Sequence, residues 1–227
     1  MKKLFKAEQQ YIDDLNSFTK IDAILAIAFY VFEMVALYVV GIIYVNSGRY
    51  LGYPFAIISI VLVLLLAKLK ITKIGITATN IWSSVLTGII LGGIFILSYT
   101  ILPGILSGAR LLPIKVIAQN VFYYFIIIGF EEEIAFRGFI QPRLFPLLKK
   151  EWLTILIGGI LFVFMHYPFQ MAAHGMSAVE YFPLFISGAP LQFMWHCIFS
   201  LIYRKFGNLY GSTILHGFVD LSMGIFG

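Results

Sequence analysis

Long apolar runs separated by short polar stretches dominate the chain. After a mixed, charged opening, hydrophobic residues run almost unbroken over about 21–45, 53–69, 81–102, 116–140, 152–167, 181–203 and 209–226. Each run is near the roughly 20 residues that an α-helix needs to cross the hydrocarbon core of a bilayer. A membrane β-barrel would show short segments of alternating polarity, which these runs lack. The pattern predicts an all-α, polytopic transmembrane helical bundle of about seven spans. One transmembrane domain covers 21–227, preceded by a cytoplasmic segment over 1–20. In that segment Lys2, Lys3 and Lys6 sit near Phe5, Tyr11 and Leu15. This mix suits an amphipathic helix on the membrane surface or a solvated tail. The first run is long enough to span and has no small-residue cleavage site, so it is expected to be retained as a signal anchor.

Composition agrees. Of 227 residues, 60% are hydrophobic and only 12% are charged, against roughly 25% charged in soluble domains. The mean hydropathy is +0.93. The distribution of positive charge adds an orientation. With the N-terminus inside, the inner segments hold Lys2, Lys3, Lys6, Lys20, Lys68, Lys70, Lys73, Arg137, Arg143, Lys149, Lys150, Arg204 and Lys205, and the outer loops only Arg49, Arg110 and Lys115. That is thirteen against three of the 16 Lys and Arg, a strong positive-inside bias. The net charge of +5 is then a property of cytoplasmic loops, and no nucleic-acid partner is expected. Trp82 and Trp152 fall at inner boundaries, where interfacial tryptophans belong. Seven spans would leave Gly227 outside. Pro103 and Pro113 are expected to bracket an outer loop. Pro142 and Pro146 are expected to bracket an inner one, with a short interfacial helix around Leu144–Leu148. Gly88 and Gly92 form a GxxxG, a spacing that suits close helix packing in lipid. The single cysteine, Cys197, excludes an intramolecular disulfide and a zinc–thiolate site.

The candidate chemistry lies in Gly129-Phe130-Glu131-Glu132-Glu133-Ile134-Ala135-Phe136-Arg137. Three acids follow a run, Val121 to Phe130, that is suited to lipid. A charged side chain at the bilayer centre costs about 2.5–3.5 kcal/mol on insertion scales, so such residues normally face a protein interior or a wet cavity and mark function. On a helix, Glu133 and Arg137 are four apart and face each other. Glu132 points about 100° away from Glu133 and can face another wall. One carboxylate can thus be neutralised by Arg137 while its neighbour faces a cavity, an arrangement that suits a general base. The bland alternative is a helix end whose charges are solvated at the cytoplasmic interface. His166 ends an apolar stretch, Phe162-Val163-Phe164-Met165-His166. His216 and Asp220 share one face of the last span. A buried Asp facing a His is costly unless both serve a shared site, so His166, His216 and Asp220 are expected to converge with the acids. By depth, Glu132 falls in the inner half of its span and His166 nearer the outer side, which leaves the two out of level. Glu33, Glu131 and His196 have no assigned role.

In this order on three hydrophobic helices, Glu132-Glu133-x-x-x-Arg137, Phe162-x-x-x-His166 and His216-x-x-x-Asp220 resemble the motifs of the CPBP family. This is the family of CAAX prenyl endopeptidases and bacteriocin-processing enzymes, also called Abi proteins. The turn Arg204-Lys205-Phe206-Gly207-Asn208-Leu209-Tyr210 also resembles the family's. The resemblance runs over about 116–227, while the N-terminal half shares only hydropathy. It implies an intramembrane endopeptidase in which Glu132, with His166, activates a water. Glu133 and Arg137 would support Glu132, and His216 and Asp220 would hold the substrate carbonyl or its oxyanion. Where this family often has Asn, the chain has Asp220, which donates a hydrogen bond only when protonated. A divalent metal such as zinc, held by Glu132, His166 and His216, is the alternative to a glutamate mechanism, although no HExxH is present. The implied partners are membrane lipid and a peptide or membrane-protein substrate, with roles in bacteriocin or pheromone maturation or self-immunity, in a bacterial cytoplasmic membrane. Two other classes compete. One is a non-catalytic binding or immunity protein that sequesters a peptide or regulates a partner. The other is a small transporter, against which stands the lack of an internal repeat.

Overall fold

The computed structural model describes residues 6–227. Lys2, Lys3 and Phe5 of the opening segment lie outside the described residues. Eight helices follow one another: α1 (Gln9–Ser17), α2 (Lys20–Ser47), α3 (Gly52–Leu66), α4 (Ile81–Leu106), α5 (Ile114–Leu148), α6 (Glu151–Ala173), α7 (Ala178–Phe206) and α8 (Tyr210–Leu221). There is no β-strand among the described residues. Each apolar run seen in the sequence is a helix. Five of them (α2, α4, α5, α6 and α7) are long and apolar enough to cross a membrane, whereas α3 and α8 are shorter. Large apolar side chains such as Ile57, Leu86 and Ile94 stand exposed on the outer faces. In water such a surface would be untenable; against lipid it is the ordinary solvent-facing surface. The chain is an integral membrane protein.

Local sequence sets the helix ends. Thr19 and Ser177 open α2 and α7 with capping boxes closed by Asp22 and Glu180, each satisfying backbone donors that a helix start leaves free. Gly48 and Gly207 end the same helices at φ 66° and 69°, the left-handed conformation that glycine adopts without cost.

Three sequence expectations need correction. Helix α1 is neither a free tail nor a surface helix facing lipid. Tyr11 and Leu15 are buried, the Tyr11 ring meets that of Tyr203 edge-on at 5.5 Å, and Asp14 pairs with Lys73 at 2.5 Å. The apolar face found a protein partner at the end of the bundle. Pro103 does not open a loop but lies inside α4, and Pro142 lies inside α5. In both cases the helix widens to π-type turns just before the proline, at Leu97–Ile101 and Ile134–Ile140. A proline removes one hydrogen bond and its ring presses on the carbonyl four residues back; a wider turn lets the helix continue past it.

The buried centre of the bundle is the second half of α5, where every residue from Glu131 to Leu144 is buried. Helix α8 lies between α4 and the Tyr123–Glu133 part of α5. The GxxxG of α4 makes its contact there: a Cβ on Gly88 would stand 2.5 Å from the Gly211 carbonyl oxygen, and one on Gly92 would run into the Phe218 ring.

Candidate functional site

The site begins with how α5 winds. Two π-type stretches, Tyr123–Gly129 and Ile134–Ile140, bracket a single regular turn, Phe130–Glu133. Wide turns inside α-helices recur at functional sites. The bracketed turn fans its three acids out at about 100° per residue. Glu131 takes a hydrogen bond from Ser59 of α3. Glu132 faces a cavity. Glu133 faces α8 and meets His216. Glycine fits the wide turn that precedes these acids, since a Cβ at Gly129 would lie 2.8 Å from the Tyr124 carbonyl oxygen of the same helix.

Glu133 and Arg137 are completely buried and pair at 3.0 Å. The same Glu133 oxygen lies 3.0 Å from Nδ1 of His216. Nε2 of His216 in turn lies 3.6 Å from Glu132 Oε2 and 3.5 Å from Asp220 Oδ2. His166 approaches from α6, with Nε2 3.9 Å from the same Glu132 oxygen. Its Nδ1 is 2.9 Å from the Phe162 carbonyl oxygen. A carbonyl only accepts, so Nδ1 carries the proton and a neutral His166 presents a bare, accepting Nε2 to Glu132. All six residues singled out in the sequence thus meet in one cluster. The mismatch of depth does not arise, because α6 continues to Ala173 and leaves His166 well inside its 23 residues.

The cluster forms the floor of a cavity of about 820 Å³ lined by Glu132, His166, His216 and Asp220 and by aromatic side chains such as Phe162 and Phe199. Glu133 and Arg137 stand behind this wall. The lining comes from the second halves of α2, α4, α6 and α8, the first parts of α3 and α5, and the middle of α7. The cavity therefore occupies the half of the bundle nearest 48–51, 107–113 and 174–177. Tyr50 and Tyr123 join their hydroxyl groups beside it.

Several buried polar groups lie outside the three motifs. His196 is buried and its Nδ1 lies 3.1 Å from Arg137. Glu33 is buried in α2 and neither of its oxygens has a hydrogen-bond partner. The available signal was spacing: Arg137 with Gln141, and His196 with Ser200, are polar pairs four apart on apolar helices. Among the described residues no group of three His, Cys, Asp or Glu side chains is arranged to hold a metal ion. Glu132, His166 and His216 therefore do not fit a zinc site as they stand, and no chemical step is assigned to a metal.

Fold and site together define a polytopic membrane protein with a carboxylate–histidine cluster enclosed in its helical bundle. Residues 115–222, from the start of α5 to just beyond α8, match the family model described as type II CAAX prenyl endopeptidase Rce1-like. The match spans 108 of the 227 residues and takes in all three motifs, so this part of the chain is similar to that family, in line with the resemblance to CPBP proteins that the motifs carry. No curated protein and no solved structure matches the chain significantly.

Proposed function

We propose that the protein is an intramembrane endopeptidase that hydrolyses a peptide bond in a membrane-associated peptide or protein by a glutamate-activated water. The observation that carries this is Glu132 Oε2, which faces Nε2 of both His216 and His166 across 3.6 and 3.9 Å on a cavity wall. Those separations exceed a direct hydrogen bond and suit one bridging water. A water between Glu132 and His166 donates one hydrogen to each acceptor and keeps a lone pair free for the scissile carbonyl carbon. As the C–O bond forms, Glu132 takes a proton. As the C–N bond breaks, Glu132 returns that proton to the leaving amine. The carbonyl oxygen, as it gains charge, is received on the side of His216 and Asp220. Glu133 and Arg137 hold His216 in place and do not touch the substrate. The apolar, aromatic lining suits a hydrophobic substrate segment. Maturation of a bacteriocin or pheromone, or self-immunity against a peptide, fits such chemistry.

The test compares peptides released from cells expressing wild type or Glu132→Gln at matched membrane levels. Glutamine keeps the volume and loses the base, so defined products should fall by about 10²–10⁴-fold, the usual worth of a general acid–base group. Identical peptide profiles from both proteins would refute the proposal in favour of a non-catalytic peptide-binding or immunity protein.

A further inference from the structure

Behind the proposed catalytic wall lies a second polar chain that the motifs do not include. Arg137, His196, Ser200 and Gln141 are all completely buried. The Arg137 guanidinium lies 3.1 Å from His196 Nδ1, His196 Nε2 lies 3.2 Å from Ser200 Oγ, and Ser200 Oγ lies 2.7 Å from Gln141 Oε1. Donor rules give this chain one direction. A guanidinium only donates, so Nδ1 of His196 must accept and carry no proton. The proton of a neutral His196 is then on Nε2 and is donated to Ser200, whose hydroxyl is donated to Gln141. Any other state of His196 would turn an N–H toward the guanidinium.

The guanidinium is also held between the rings of Phe162 and Phe199, its carbon 4.5 and 5.1 Å from their centroids, where a cation is attracted to each ring face. The Phe199 ring stacks on His216 at 4.6 Å. Arg137 is therefore the joint between two chains: one through Glu133 to His216 at the cavity, the other through His196 to Ser200 and Gln141.

We infer that His196, as its Nε2–H tautomer, is a positioning residue that fixes Arg137, and through Glu133 fixes His216, for the proposed peptidase reaction. Its effect on rate rests on that proposed function, whereas the hydrogen-bond wiring does not. Two measurements separate the two. The ¹⁵N-histidine spectrum of the purified 227-residue chain contains four histidines, and the signal lost in His196→Asn identifies His196. A protonated Nε2 with a bare Nδ1 is expected; an Nδ1–H or doubly protonated ring would overturn the assignment without any activity measurement. In membranes matched for protein, His196→Phe should slow release of the Glu132-dependent peptides by about 10- to 100-fold, the worth of one hydrogen bond to a charged group. His196→Asn, whose amide oxygen can accept from Arg137, should recover most of that loss. Equal rates for His196→Phe and wild type, or no recovery in His196→Asn, would remove the positioning role. If release persists in Glu132→Gln, the peptidase proposal fails and the spectrum alone decides the wiring.

Discussion

Glu133 and Glu132 are neighbours in sequence with opposite energetic situations. Glu133 shares a completely buried pair with Arg137, and removing one member of such a pair leaves the other charge uncompensated, at about 3–5 kcal/mol. Glu133→Gln should therefore lower the thermal stability of the detergent-solubilised protein as well as its activity. Adding Arg137→Met should return much of the stability but none of the peptide release. A Glu133→Gln protein as stable as wild type would show that the pair is not what balances Arg137. Asp220 poses a different question. It lines the cavity and lies 3.5 Å from His216 Nε2. Asparagine there can still accept from His216 and can also donate to a carbonyl oxygen, whereas alanine does neither. Asp220→Asn should keep peptide release within a few-fold of wild type, and Asp220→Ala should lose about 10-fold or more, the share of one charge-assisted hydrogen bond. At this scale the divergence of Glu132 from Glu133 and the pairing of Glu133 with Arg137 were legible, because both follow from helical spacing alone. The partners of Glu131 and Arg137 across helices, Ser59 and His196, were not. They depend on which faces pack, and each is one ordinary polar residue in an apolar run.

Helices were legible for a reason specific to lipid. Backbone groups in a bilayer have no water to turn to, so an apolar run of spanning length must be helical. The interruptions were less so. Prolines at 103 and 142 read as loop edges, yet π-type turns before them let α4 and α5 continue. The wide turns around Phe130–Glu133 leave no signature in hydropathy, although they set the directions of the three acids. The GxxxG was visible as a packing motif without a partner; its partner is α8, which carries His216. Close approach of α4 at Gly88 thus bears on the site from the side opposite Glu133. Gly88→Ala would put a Cβ 2.5 Å from the Gly211 carbonyl oxygen, and backbone cannot rotate away as a side chain could. The expected cost is about 1–3 kcal/mol for overpacking, with a fall in peptide release as α8 shifts His216 away from Glu132. Gly93 is the control, because a Cβ there meets nothing within 4 Å, and Gly93→Ala should leave both stability and release unchanged. Equal behaviour of the two variants would mean that α8 is not held by this contact.

The whole molecule joins two independent asymmetries. The positive-charge bias of thirteen against three is the argument for proposing that the N-terminal side and 149–150 face the cytoplasm. The cavity occupies the other half of the bundle, the half nearest 48–51, 107–113 and 174–177. Together they predict that the cavity opens away from the cytoplasm, so that substrate reaches Glu132 from outside or from the lipid flank. On that flank Tyr99 of α4 and Leu191 of α7 line the cavity while remaining exposed. Met223, which lines the cavity and is 74% exposed, reports the opening directly. In a Cys197→Ser background, Met223→Cys should react with a membrane-impermeant maleimide in intact cells, and Lys149→Cys only after permeabilisation. The reverse result would turn the bundle over and deliver substrate from the cytoplasm. The cluster at the floor would keep the same chemistry in either orientation, because the distances among Glu132, His166 and His216 do not depend on it. What changes is the side of release: products cut from the outer side need no further crossing of the membrane, whereas products cut from the inner side do.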